Sequence, residues 1–238
     1  MKIIKFFYRL LVIVYKKLRL TMYLFVITRV LFYFNFKFKT VYDIFISSKL
    51  LKPEGSNPIR QRKTTFDYVI DKLYNRKDML IIETGCMRAD HGKLSFGDDG
   101  ASTFIFNCLA KYTGSTFISV DISEKNIEHA RNFCKDTTFQ LSDSIEFLTE
   151  FKQPELIDLI YFDSYDFDPN NPLMSQNHHL QEFQAVYNKL KNGCIIVIDD
   201  ADAKMDGTFF GKGSKIREHL QKQNIFPLIE SYQLIYIK

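Results

Sequence analysis

Four apolar runs along the chain end in acidic residues, and this constrains the fold more than any other feature. Met79–Ile82 runs into Glu83, Ser115–Val120 into Asp121, Leu156–Phe162 into Asp163, and Cys194–Ile198 into Asp199-Asp200. Each run is short and rich in Ile, Val, Phe or Leu, as a buried strand requires. Helical spacing fills the gaps. Phe66, Val69, Ile70 and Leu73 predict a helix over 64–74, and further helices are predicted over 100–112, 123–134, 143–151, 178–190 and 214–223. A brief strand is expected at 137–141. Alternating strands and helices imply a mostly parallel sheet covered on both faces. The last two apolar stretches, 225–229 and 232–237, are too close in sequence for a crossover, so they are expected to pair antiparallel. In such sheets ligands bind beyond the carboxyl ends of the strands. Single acids there are common turn formers, but several on one edge repel one another unless a ligand or cation uses them.

Charge divides the 238 residues in two. Residues 1–52 carry eleven Lys and Arg against one acid, Asp43, and 13 of the 36 Phe and Tyr, with no Gly or Pro. The rest of the chain has 21 bases and 27 acids. Pro53-Glu54-Gly55-Ser56-Asn57-Pro58 reads as a linker, giving an appendage over 1–52, a linker over 53–63 and a main domain over 64–238. The longest uncharged run in the appendage is the nine residues Leu20–Thr28, against the roughly 20 apolar residues of a spanning helix. No compact secretory core is seen. Lys2, Lys5, Arg9, Lys16 and Arg19 fall on one helical stripe among aliphatic and aromatic residues. An in-plane helix on an anionic membrane surface has this pattern. So does a helix pair packing on the main domain or on a second subunit, and a homo-oligomer is left open. Nucleic acid is not expected as a partner, because the main domain is acidic. Cys86, Cys108, Cys134 and Cys194 form no metal-ligand spacing, which predicts reduced thiols and a cytoplasmic protein, peripheral on the membrane.

Ile82-Glu83-Thr84-Gly85 followed by Gly100-Ala101-Ser102-Thr103 resembles the first motif of class I S-adenosylmethionine-dependent methyltransferases, over about residues 64–238. The insertion Cys86–Asp99 departs from the simple motif and is a candidate lid. The resemblance implies a Rossmann-like seven-stranded sheet with a C-terminal antiparallel hairpin. It also implies S-adenosylmethionine as cofactor. Gly85 would permit close backbone approach, and the helix start at Ser102 would offer free N–H groups to the cofactor carboxylate. Glu83 would face the methionine ammonium, Asp121 the ribose hydroxyls, and Asp143 with Ser144 the adenine. A helix N-cap is the alternative reading for Asp121 and Asp143.

Asp163 and the Asp199-Asp200 pair resemble the divalent-cation ligands of the catechol and macrocin O-methyltransferase branch. Mg²⁺ or a similar ion would bind there, although the branch has Asn where this chain has Asp200. His178 and Glu182 share a helix face. The Asp163…His178…Glu182 stretch resembles one in which the histidine is base or orienter at the acceptor hydroxyl. Asp163 and His178 are therefore the expected catalytic residues, and a small molecule or glycan hydroxyl the expected acceptor. The loop 166–177 is read as a substrate-facing wall, and Gly211-Lys212-Gly213 as a second wall or a helix start. The other class of function considered is a catalytically degenerate methyltransferase fold acting as an interaction module at a membrane.

Overall fold

The computed structural model describes residues 42–43, 58–88, 101–201 and 209–238. The appendage apart from Tyr42 and Asp43, the 53–57 part of the expected linker, and residues 89–99 of the candidate lid lie outside the described residues. In chain order the elements are α1 (Pro58–Leu73), β1 (Leu80–Thr84), α2 (Ser102–Thr113), β2 (Thr116–Asp121), α3 (Glu124–Arg131), β3 (Thr138–Leu141), α4 (Ser144–Glu150), β4 (Ile157–Phe162), α5 (Pro172–Val186), β5 (Ile195–Ile198), α6 (Ser214–Gln221), β6 (Ile229–Glu230) and β7 (Leu234–Ile237).

One sheet holds all seven strands in the order β3-β2-β1-β4-β5-β7-β6. Strands β1 to β5 pair in parallel. β7 runs antiparallel between β5 and β6, as the short connection required. Strand β4 is buried at all six positions, as a central parallel strand must be. Side-chain alternation splits the core in two. Ile81, Phe117, Leu159 and Val197 meet Phe66, Val69 and Leu73 of α1 and Phe106 and Leu109 of α2 on one face. Ile82, Ile160, Phe162, Ile196 and Ile198 meet Leu148 of α4, Phe183 and Val186 of α5, and Ile216 and Leu220 of α6 on the other. All four cysteines are free thiols and buried.

Two helices start earlier than their apolar periodicity indicates. Helix α1 begins at Pro58 rather than Thr64, so residues 58–63 of the expected linker are helical. Helix α5 begins at Pro172 rather than His178, which leaves only 166–171 of the expected wall as loop. In both cases a proline opens the helix, where its missing N–H costs nothing. Among the described residues, no helix is long and apolar enough to cross a membrane.

Candidate active site

The carboxyl ends of the strands are tied edge to edge by backbone bonds that continue the ladder past the strands. Gly85 donates to the Val120 carbonyl at 2.7 Å, Asp163 to Thr84 at 2.9 Å and Asp199 to Phe162 at 3.0 Å. This brings Asp121, Asp163, Asp199 and Asp200 to one edge. Gly85 has φ +82°, and a Cβ there would lie 2.3 Å from the Asp163 carbonyl oxygen, so the crossing requires glycine.

Two adjoining cavities open at this edge. The larger, about 550 Å³, is lined among others by Arg62, Gly85, Ser102, Asp121, Asp163 and Asp200. The smaller, about 220 Å³, is lined by Gly85, Asp121, Asp143, Ser144, Tyr165 and His178 with four more residues. Gly85, Asp121, Ile122 and Ser164 border both. The larger falls within the ~300–1,000 Å³ range of small-molecule sites.

Asp121 stands where the cavities meet. Its Oδ2 accepts from the Cys86 N–H at 3.0 Å and its Oδ1 from the Ser123 N–H at 2.7 Å, which fixes both loops against it. The start of α2 borders the larger cavity. Its N-cap is Ala101, held at φ +58° with no side-chain cap bond. Ser102 is therefore inside the helix, in the first turn that faces the larger cavity. Asp143 caps α4, its Oδ1 accepting from Ile145 at 2.9 Å and Glu146 at 3.0 Å. It is thus an N-cap and a wall of the smaller cavity at once. Glu83 is wholly buried, accepts from the Ser119 hydroxyl at 2.7 Å, and borders neither cavity. Asp163 and His178 are likewise separated, one lining each cavity.

His178 Nε2 is 3.0 Å from the Ser144 hydroxyl and 3.8 Å from Glu182. Burial pushes its pKa down, so the neutral ring is favoured. Glu182 is wholly buried between His178 and His179, and burial raises its carboxyl to about 7. The hydroxyls of Ser144, Ser164 and Thr84 soften that shift. These hydroxyls face Glu182 without closing a well-formed hydrogen bond to either of its oxygens.

The acidic cluster is engaged by two buried bases, Arg62 and Lys212, neither of which the sequence reading paired with it. Arg62, from the stretch read as linker, donates through Nε to Asp199 Oδ2 at 2.9 Å and through its NH2 group at 2.7 Å. The same NH2 group reaches Asp200 Oδ1 at 3.1 Å. Lys212 Nζ lies 2.6 Å from Asp163 Oδ1 and 3.1 Å from Asp200 Oδ2. Gln233 donates to Asp199 at 2.8 Å, and the Tyr232 hydroxyl donates to Asp200. Burial tends to raise Asp199, but Arg62 outweighs it and holds that carboxyl well below the usual range. Asp163 moves the opposite way, raised by burial and by the charge of Asp199 against the pull of Lys212. A divalent ion needs carboxylate oxygens free to turn toward one point. Apart from Asp163 Oδ2, these oxygens already serve guanidinium and ammonium donors, so a divalent ion here would have to displace Arg62 or Lys212.

No protein-family model matches the chain, and no curated protein matches it. Solved structures do. The MycE methyltransferase of the mycinamycin biosynthetic pathway, in complex with Mg, SAH and mycinamycin VI, is similar with TM-score 0.51 and 16% identity over 79% of this chain and 55% of that one. The chain thus spans about half the length of that structure. A putative rRNA methylase from Clostridium thermocellum gives TM-score 0.47 and 16% identity, covering 79% of this chain and 100% of its own. Only the first bears on the shared fold. Strand order, the reversed β7 and this similarity agree: the chain has a Rossmann-like methyltransferase fold, a seven-stranded mixed sheet between helical layers.

Proposed function

We propose that the chain is an S-adenosylmethionine-dependent methyltransferase acting on a hydroxyl of a small molecule or glycan. The observation that carries this reading is the polar order along the two cavities. The N-terminal turn of α2 borders the larger cavity, Asp121 stands at the junction, and Asp143 borders the smaller. These suit, in turn, a carboxylate, a ribose diol and an adenine amino group. Gly85 allows close approach between them. The cofactor, when bound, supplies an electrophilic methyl group on a sulfonium.

The chain's part is to orient the acceptor and take its proton. Asp163 borders the larger cavity, with Oδ1 held by Lys212. Its other oxygen would accept the hydroxyl proton as the acceptor oxygen bonds to the methyl carbon. His178 and Ser144 would shape the smaller cavity around the adenine. The proposal includes no divalent ion, because Arg62 and Lys212 already hold the three carboxylates. The basic aromatic segment 1–52 is proposed to hold the enzyme at an anionic membrane surface. Co-sedimentation of the full chain with phosphatidylserine vesicles, but not phosphatidylcholine ones, is the expected behaviour.

Calorimetric titration of the full chain with S-adenosylmethionine tests the central claim. Binding that Asp121→Ala abolishes supports it. No heat of binding from a folded chain refutes it. A panel of sugar and phenolic hydroxyls with methyl-labelled cofactor then identifies the acceptor class.

A further inference from the structure

Asp163, Asp199 and Asp200 each offer one oxygen within 4.8 Å of the others. Three carboxylates so close cannot all stay ionised without counter-charge. A divalent ion is one source of it, and this chain has built another. Lys212 is wholly buried, and its ammonium bridges Asp163 and Asp200 at 2.6 and 3.1 Å. Arg62, buried but bordering the larger cavity, spans Asp199 and Asp200. Three negative charges thus face two positive ones, a balance of about −1. A divalent ion added to that set would reverse the sign. It would also have to displace a fully buried ammonium.

The backbone around Lys212 is shaped to deliver it. A Cβ at Gly211 would lie 1.8 Å from the Asp200 carbonyl oxygen, so the loop presses there as only glycine can. The Lys212 N–H donates to that same carbonyl at 2.7 Å. One residue's backbone and side chain both grip Asp200, and the side chain reaches on to Asp163.

We infer that Lys212 is the built-in cation of this site. It is a positioning residue for Asp163 and Asp200, and with Arg62 in place the acidic cluster takes up no divalent metal. The inference rests on charge and geometry and stands apart from the methyltransferase reading. Joined to that reading, it makes transfer independent of divalent ions.

Mn²⁺ is the probe, with free ion measured by electron paramagnetic resonance against the full-length chain. Wild type is expected to leave Mn²⁺ free. Lys212→Ala leaves three carboxylates facing one guanidinium, and should take up one Mn²⁺ with affinity raised about tenfold or more. Asp163→Asn added to that variant should remove the gained site. Lys212→Gln, which keeps the length of the side chain without its charge, is the second variant. If neither variant folds, the wild-type titration decides alone. One Mn²⁺ taken up by wild type and lost in Asp163→Asn overturns the inference, as does a folded Lys212 variant that gains no site. Titration with S-adenosylmethionine is read separately, so failure of the methyltransferase reading leaves the Mn²⁺ result intact.

Discussion

Gly85 and Asp163 meet backbone to backbone, the position of a Cβ on residue 85 lying 2.3 Å from the Asp163 carbonyl oxygen. Gly85→Ala therefore adds a left-handed φ penalty to a direct overlap. We expect a loss of about 2–4 kcal/mol, seen as a fall of roughly 4–16 °C in thermal denaturation. Because Gly85 borders both cavities, cofactor affinity should fall as well. An unchanged melting temperature would show that the crossing is looser than described.

Arg62→Met strands the buried carboxylate of Asp199. The expected cost at pH 7 is about 3–5 kcal/mol in urea denaturation. The pH dependence follows from sign. Arg62 holds Asp199 below its ordinary pKa, so the pair stabilises the fold above the unfolded value and loses that effect as pH falls. The gap between variant and wild type should narrow below about pH 4. A gap constant with pH would mean that packing, not charge, is lost.

Glu182 has the opposite sign. Burial raises its carboxyl from the ordinary 4.5 to about 7, with His178 and His179 beside it and Lys212 exerting a weaker pull the other way. Its contribution is intact below pH 4.5 and declines as pH rises through 7. Glu182→Gln should remove that decline, gaining up to about 3 kcal/mol relative to wild type at pH 8. Denaturation curves across pH 5–8 check it, and parallel curves would refute it.

His178→Ala separates two roles for one ring. The ring touches Ser144 at 3.0 Å and borders the smaller cavity with Asp143 and Tyr165. If it serves cofactor binding, Kd for S-adenosylmethionine should rise about tenfold, a loss near 1.4 kcal/mol, with kcat changed less. A collapse of kcat at unchanged Kd would instead make His178 the proton acceptor.

The strands, their order of chemistry and the closing hairpin were legible because each is local. Ile157–Phe162 and Ile195–Ile198 are continuous apolar runs with an acid following, and few residues separate β6 from β7. Asp121 and Asp143 were legible for the same reason. Arg62 and Lys212 were not. A base inside a helix start or between two glycines reads as solvated, and Arg62 is buried only because Asp199 lies 137 residues further on. Partial signals did exist. Proline at a helix start argued for beginning α1 at Pro58, and glycines on both sides of Lys212 marked a backbone pressed against something. Glu83 misled in the other direction. It ends an apolar run as the others do, yet β1 continues through it to Thr84 and buries it against Ser119.

The bonds of Arg62 to Asp199 and of Thr65 to Gln233 join α1 to partners 137 and 168 residues away. During synthesis this helix leaves the ribosome first among the described elements, yet its buried guanidinium has nothing to hold until the β5 and β6–β7 segments follow. Until then Arg62 and Asp199 are each an unmatched charge, and the site edge stays open. Docking of α1 should therefore be a late step of folding, with the loop-closure entropy of most of the domain falling on it. A nascent chain halted before Tyr232 would carry six strands' worth of sequence and no finished site.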